Sequence, residues 1–129
     1  MNFPEDLKYT REHEWARAKG KRVVVGITEF AQDQLGDIVY VELPSVGDEV
    51  KKGEAFGVVE STKAVSDLFA PVSGKVVEVN DPLADAPETI NEDPYEEGWM
   101  IQVEMSDPKD LADLLGGDAY KKFVEEETE

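Results

Sequence analysis

Two short β-type runs nearly meet in the middle of the chain. Gly57-Val58-Val59-Glu60-Ser61 and Ala64-Val65-Ser66-Asp67-Leu68-Phe69 are separated only by Thr62 and Lys63. A link this short permits nothing but a tight reversal, so the two runs must pair as a hairpin. Thr62 and Lys63 then stand at its tip, with the lysine amine in water and away from any core. Most lysines at tight turns only keep a loop soluble. Here the frame is less common, because valine-bearing arms flank the tip and Ala70-Pro71-Val72-Ser73-Gly74 follows the second arm.

Further strands are legible on either side. Val23-Val24-Val25-Gly26-Ile27 reads as a buried strand. Ile38-Val39-Tyr40-Val41-Glu42-Leu43 reads as another, ended by Pro44, and Val76-Val77-Glu78-Val79-Asn80 as a third, closed by Asp81-Pro82. Val46-Gly47-Asp48 and Lys51-Lys52-Gly53 are turn signals. Thr28 is a candidate N-cap, with Glu29 in the first turn and Gly36 as the stop. The short helix they bound would bury Phe30, Ala31 and Leu35, which recur at helical spacing. The stretch from Gly36 to Pro44 also echoes the one from Gly74 to Pro82, 38 positions later. Gly, two Val and Pro coincide, and Ile38 matches Val76 in kind. Such an echo predicts a core of two related halves, as in a flattened barrel or sandwich with a pseudo-two-fold axis.

Near its end the chain changes character. Ser106 or Asp107 caps a predicted helix with Pro108 at its first position, and Leu111, Leu114 and Leu115 supply an apolar stripe. Gly116-Gly117 breaks that helix, and Asp118 restarts a second one through Tyr120, Phe123 and Val124. Both helices, about 107–124, are expected to pack on the sheets. The like-charge tail Glu125-Glu126-Glu127-Thr128-Glu129 is expected to fray. At 129 residues the whole chain, 1–129, is expected to form one domain.

The charge balance narrows the partners. Asp plus Glu number 30 against 13 Lys plus Arg, for a formal net charge of -17. Phosphate backbones and anionic lipid surfaces reward basic patches, so neither nucleic acid nor a membrane is expected as a partner. Basic protein surfaces are favoured instead. No run is long or apolar enough to span a bilayer. The start, Met1-Asn2-Phe3-Pro4-Glu5-Asp6, lacks a basic region followed by an apolar one. A cytoplasmic monomer is therefore expected, or a mitochondrial-matrix one if this is a processed eukaryotic form.

A catalytic site is hard to build from this sequence. There is no cysteine, hence no disulfide, thiolate metal site or catalytic thiol. His13 is the only histidine, and no nucleophile elbow accompanies it. EF-hand spacing and a phosphate-cradling glycine loop are both missing. The Lys63 hairpin remains the strongest local signal. A free lysine titrates near ~10.4 and is a poor nucleophile at neutral pH. An acylating enzyme must deprotonate it in a desolvated pocket, and a rigid tip offers one amine in a fixed pose. Once acylated, the side chain becomes a long neutral arm that can visit several active sites at high effective concentration.

Glu60-Ser61-Thr62-Lys63-Ala64-Val65-Ser66-Asp67, followed by the stretch from Ala70 to Asn80, resembles the lipoyl-lysine motif of the glycine cleavage system H proteins. The likeness extends to His13-Glu14-Trp15, to Gly26-Ile27-Thr28-Glu29-Phe30-Ala31-Gln32-Asp33, to Leu35-Gly36-Asp37-Ile38-Val39 and to Val41-Glu42-Leu43-Pro44. It includes Asn91-Glu92-Asp93-Pro94-Tyr95-Glu96-Glu97-Gly98-Trp99-Met100 and covers about 8–123.

The resemblance implies a mainly β fold, the lipoyl/biotinyl-type barrel-sandwich hybrid of two antiparallel sheets with short flanking and C-terminal helices. It implies lipoic acid in amide linkage on Lys63, attached by a lipoate ligase or lipoyl transferase. The protein would be a non-catalytic carrier. It would take an aminomethyl group from the pyridoxal-phosphate glycine decarboxylase (P protein) to the tetrahydrofolate-dependent aminomethyltransferase (T protein). Reducing equivalents would go to the dihydrolipoamide dehydrogenase (L protein). A chain without thiols suits such a role, since none can exchange with the dithiol. Glu14 and Asp67 match the family positions that shelter the loaded arm. Glu12 stands where Ser is frequent and is expected to join that shelter, its extra carboxylate attracting the ammonium; Thr62 stands where Val or Ile is usual. Two alternatives share the fold: a lipoyl relay for other enzymes, and a biotin carrier. Biotin carriers usually flank the lysine with methionines, unlike Thr62 and Ala64. A plain interaction module with an unmodified lysine is the third alternative.

Overall fold

The computed structural model describes residues 2–127. β1 (Lys8–Tyr9), β2 (Glu14–Lys19) and β3 (Arg22–Ile27) form an antiparallel meander. The valine run reads as continuously apolar because both faces of β3 are covered. Val23, Val25 and Ile27 enter the main core, while Val24 joins a second cluster with Tyr9, Trp15 and Tyr120. Helix α1 (Glu29–Leu35) follows, with the expected ends. The Thr28 hydroxyl accepts the Ala31 N–H at 3.1 Å, and Gly36 at φ +83° donates its N–H to the Gln32 carbonyl. Phe30 is buried, and Ala31 and Leu35 pack at the margin of the main core.

β4 (Ile38–Glu42), β5 (Glu49–Val50), β6 (Ala55–Ser61), β7 (Val65–Phe69) and β8 (Gly74–Val79) come next. A 3₁₀ turn at Asp81–Ala84, the short helix α2 (Thr89–Glu92) and β9 (Ile101–Met105) complete the sheet region. The strands form a six-stranded sheet, β1-β2-β3-β9-β8-β5, and a three-stranded sheet, β4-β6-β7. Every pairing between named strands is antiparallel. Val23, Val76 and Ile101 of the larger sheet share one core with Ile38, Val59 and Leu68 of the smaller. This is the two-sheet architecture expected from the resemblance.

The internal echo has a structural counterpart. β4 and β8 lie in opposite sheets and carry matching register shifts, between Ile38 and Tyr40 and between Val76 and Glu78. The extra residues, Val39 and Val77, are themselves 38 positions apart. A bulge that recurs at the same point of both copies is a shared geometric feature, beyond a shared taste for valine.

The C-terminal segment departs from expectation. The first predicted α-helix is a 3₁₀ helix, Pro108–Asp113, capped by Asp107, whose carboxylate accepts the Lys109 N–H at 2.9 Å. Its leucines do not share one stripe. Leu111 and Leu114 pack on the main core, whereas Leu115 exchanges two backbone hydrogen bonds of 2.8 Å with Tyr9 and joins the second cluster. That bridge requires extended backbone, which stops the helix before Gly116. Helix α3 spans Gly117–Glu127, so the tail expected to fray is helical through Glu127. Buried Tyr120 and Val124 anchor it, and Glu127 meets His13 Nε2 at 3.0 Å. Thr128 and Glu129 lie outside the described residues.

Candidate functional site

The reversal falls where the spacing put it. Ser61 donates its N–H to the Ala64 carbonyl at 2.8 Å, leaving Thr62 and Lys63 at the apex. The Ser61 hydroxyl, itself buried, accepts the Ala64 N–H at 3.1 Å and the Lys63 N–H at 3.3 Å. One side chain therefore ties the turn's amides together, which stiffens a tip that two residues alone would leave loose. Thr62 donates its N–H to the Asp37 carbonyl at 3.1 Å, docking the tip on the loop after α1. The Lys63 stem crosses the bare backbone of Gly36, where an added Cβ would lie 3.4 Å from Cε. Lys63 is exposed, and its ammonium makes no ion pair within 4.0 Å among the described residues.

Two concavities lie near the second arm. A cleft of about 610 Å³ is bordered by Glu12, His13, Phe30, Leu35, Ser66 and Glu127. A smaller cavity of about 280 Å³ is bordered by Tyr9, Glu12, Glu14, Phe69, Pro71 and Leu114, among others. Glu12 borders both. Asp67 borders neither: it is exposed, paired with Val58 on the outer face of the small sheet. The structure thus brings Glu12 and Glu14 to one cavity and leaves Asp67 exposed, outside the lining of both.

Glu14 is buried at 1% exposure. Its Oε1 accepts the Thr10 O–H at 2.6 Å, and its Oε2 accepts the Phe69 N–H at 3.2 Å. Burial pushes its carboxyl up to about 8, against the opposing pull of those two donors. Its carboxylate makes no ion pair within 4.0 Å among the described residues. Because the folded value is raised, the protonated form is the one that favours folding. That contribution is complete below the unfolded value of 4.5 and is lost as pH rises through about 8. Wild-type stability should therefore fall across this window, by an amount on the order of a few kcal/mol. Glu14→Gln should remove this part of the slope, so parallel pH profiles for the two proteins in urea titrations would refute the assignment.

His13 adopts φ +73° and links the cleft to α3. Its Nδ1 lies 2.8 Å from the Tyr120 hydroxyl, which lies 2.7 Å from that of Thr28. Burial lowers its pKa despite the Glu127 carboxylate, so the ring is neutral at pH 7. A neutral ring with Nε2–H donating to Glu127 and Nδ1 accepting from Tyr120 satisfies every partner. This is a structural joint that ties the loop before β2 to α3. Nothing in the sequence marks Thr10 or the Phe69 amide as partners of Glu14, and Asn91 stands out there only as part of a longer motif.

Comparison with known proteins identifies the family. The family model described as glycine cleavage H-protein matches residues 7–127. The glycine cleavage system H protein of Anaeromyxobacter sp. (strain K) is 78% identical over 127 residues, covering 98% of this chain and 99% of that one. That of Carboxydothermus hydrogenoformans is 59% identical over 126 residues, covering 98% and 97%. The crystal structure of a glycine cleavage system H protein from Mycobacterium marinum superimposes with a TM-score of 0.85 at 43% identity, over 98% of this chain and 99% of that one. The chain belongs to the glycine cleavage H-protein family.

Proposed function

We propose that this chain is the lipoyl-bearing, non-catalytic carrier of the glycine cleavage system, with lipoic acid in amide linkage on Lys63. The observation that carries the reading is an exposed lysine amine, without an ion pair among the described residues, at the apex of a turn braced on both sides. When bound, lipoate supplies a disulfide able to accept the aminomethyl group and, as a dithiol, to pass on reducing equivalents. The residues present suit it. A lysyl stem plus an eight-carbon acyl chain reaches roughly 15 Å. Along β7, Ser66 is roughly 10 Å from Lys63 and Phe69 roughly 20 Å. The larger cleft is within reach; a carried aminomethyl group adds roughly 3 Å, which brings its ammonium within hydrogen-bond range, roughly 3 Å, of the Glu14 carboxylate beside the Phe69 N–H.

The partners are the P, T and L proteins and a lipoate ligase or lipoyl transferase, met by a monomeric single-domain carrier in the cytoplasm. The bacterial relatives support that location, and no helix among the described residues is long and apolar enough to cross a membrane. Intact-mass measurement of the native protein, followed by peptide mapping, tests the reading. A lipoyl increment on Lys63 is expected; a biotinyl increment or a bare lysine overturns it.

Glu14, Glu12 and Asp67 shelter the ammonium of the carried aminomethyl group. Glu14 is the strongest of the three, because it is a buried carboxyl lacking a cation. A cation brought beside it lowers its pKa and displaces its proton, which couples retention of the cargo to pH. Charge-assisted hydrogen bonds of this kind contribute about 1.5–3 kcal/mol each. Glu14→Ala should load normally and then release ammonia and formaldehyde about tenfold faster than wild type when T protein is absent. Asp67→Ala, on the outer face of β7, should show a smaller effect. Equal decay in all three proteins, followed by mass spectrometry, would leave these carboxylates without a sheltering role.

A further inference from the structure

The stretch 91–99 clamps α1 at both ends. Tyr95 accepts the Glu29 N–H on its hydroxyl at 3.0 Å, at the helix start. At the other end one half-buried side chain, Asn91, uses its full amide. Its Nδ2 donates to Gln32 Oε1 at 2.9 Å and to the Gly36 carbonyl at 2.8 Å, while Oδ1 accepts the Ile38 N–H at 2.9 Å. Only Asp37 lies between the two clamped backbone positions. Its carbonyl is the acceptor for the Thr62 N–H at the hairpin tip. Gly36, also clamped, is the floor under the Lys63 stem.

The sheet by itself holds this segment weakly. The register of β4 against β6 shifts directly after Ile38, so the regular ladder starts only at Tyr40. Asn91 is in turn fixed by its neighbour Ile90, which is 0% exposed in the main core. A chain of contacts therefore runs from the core through Asn91, the 36–38 segment and Thr62 to Lys63. We propose that Asn91 is a positioning residue for the modified lysine: by locking the 36–38 segment against the hairpin tip it sets the pose in which the ε-amine meets the acylating enzyme. This rests on the carrier reading above.

Two variants of the full chain test it, Asn91→Ala and Asn91→Asp. The aspartate keeps the acceptor for Ile38 but loses both N–H donors. Native-state amide exchange should be about tenfold or more faster at Thr62 in Asn91→Ala, and intermediate in Asn91→Asp. The Val24 and Val103 amides, deep in the large sheet, report global stability and serve as references. Lipoate attachment by a lipoate ligase with ATP should lose about tenfold in kcat, with KM for the carrier held, because the amine is misaimed while the rest of the surface is unchanged. Val103→Ala, a core truncation far from the tip, should destabilise the protein and leave kcat at the wild-type value. Thr62 exchange that merely tracks the reference amides, or kcat unchanged despite faster Thr62 exchange, overturns the proposal. If wild type itself takes no lipoate, the carrier reading fails, while Thr62 exchange still reports whether Asn91 braces the tip.

Discussion

Lys63→Arg is expected to fold as wild type does and to carry no acyl group at all. The hydrogen bonds that shape the tip run through the Ser61 hydroxyl, the Ala64 backbone and the Asp37 carbonyl, and none uses the Lys63 side chain. Arginine keeps the charge and a flexible stem of similar length, so stability should move by no more than about 0.5 kcal/mol. What is lost is a nitrogen that can shed its proton, since the guanidinium stays protonated under all physiological conditions. Intact mass should read the bare chain after incubation with lipoate ligase, ATP and lipoic acid. Glycine decarboxylation reconstituted with this variant should fall to the level without any carrier. Activity above that level would mean that the arm is attached elsewhere.

Gly74→Val is expected to produce the largest loss of stability. Gly74 follows Ala70-Pro71-Val72-Ser73, a place where either a positive φ or a close approach can demand glycine. The structure selects the second. A Cβ at this position would sit 2.1 Å from the Glu104 carbonyl oxygen and 2.7 Å from Val103 Cγ1. Those atoms belong to β9, which pairs with β8, and Gly74 also pairs with Val50 of β5. The backbone oxygen cannot withdraw without opening the ladder, so the cost should reach about 3 kcal/mol or more. For a chain of this size that corresponds to a fall in Tm on the order of 10 °C. The Lys63 hairpin lies in the other sheet, so the folded fraction should still be lipoylated. Gly20→Ala is the contrast: φ is +64° but nothing lies within 4 Å, so only local backbone strain of about 1 kcal/mol is expected. Equal melting temperatures for these two variants would show that the contact with β9 is easily relieved.

Features that depend on residues a few positions apart were legible in the sequence. Two residues between β-runs leave no choice but a hairpin, and Thr28 and Gly36 delimit α1 by bonds to Ala31 and Gln32. The C-terminal segment was misread for the converse reason. Asp107-Pro108 is a sound helix start, but Leu115 pairs with Tyr9, more than a hundred positions away in sequence, and that bridge overrides the helical spacing of the leucines. The charged tail reads as frayed because His13, the partner of Glu127, lies at the other end of the chain.

The sequence by itself determined that Lys63 stands on a tip, since turn length is a local constraint. Only the tertiary structure decided the state of Glu14. In a chain of 30 acidic residues nothing local distinguishes it. It is buried because the β1–β2 loop folds against Phe69, and desolvation by that packing raises its pKa. Asn91 is likewise an ordinary polar residue until the fold carries it to the loop beneath the lysine. Burial and long-range hydrogen bonding depend on what packs alongside, and that is a property of the assembled chain.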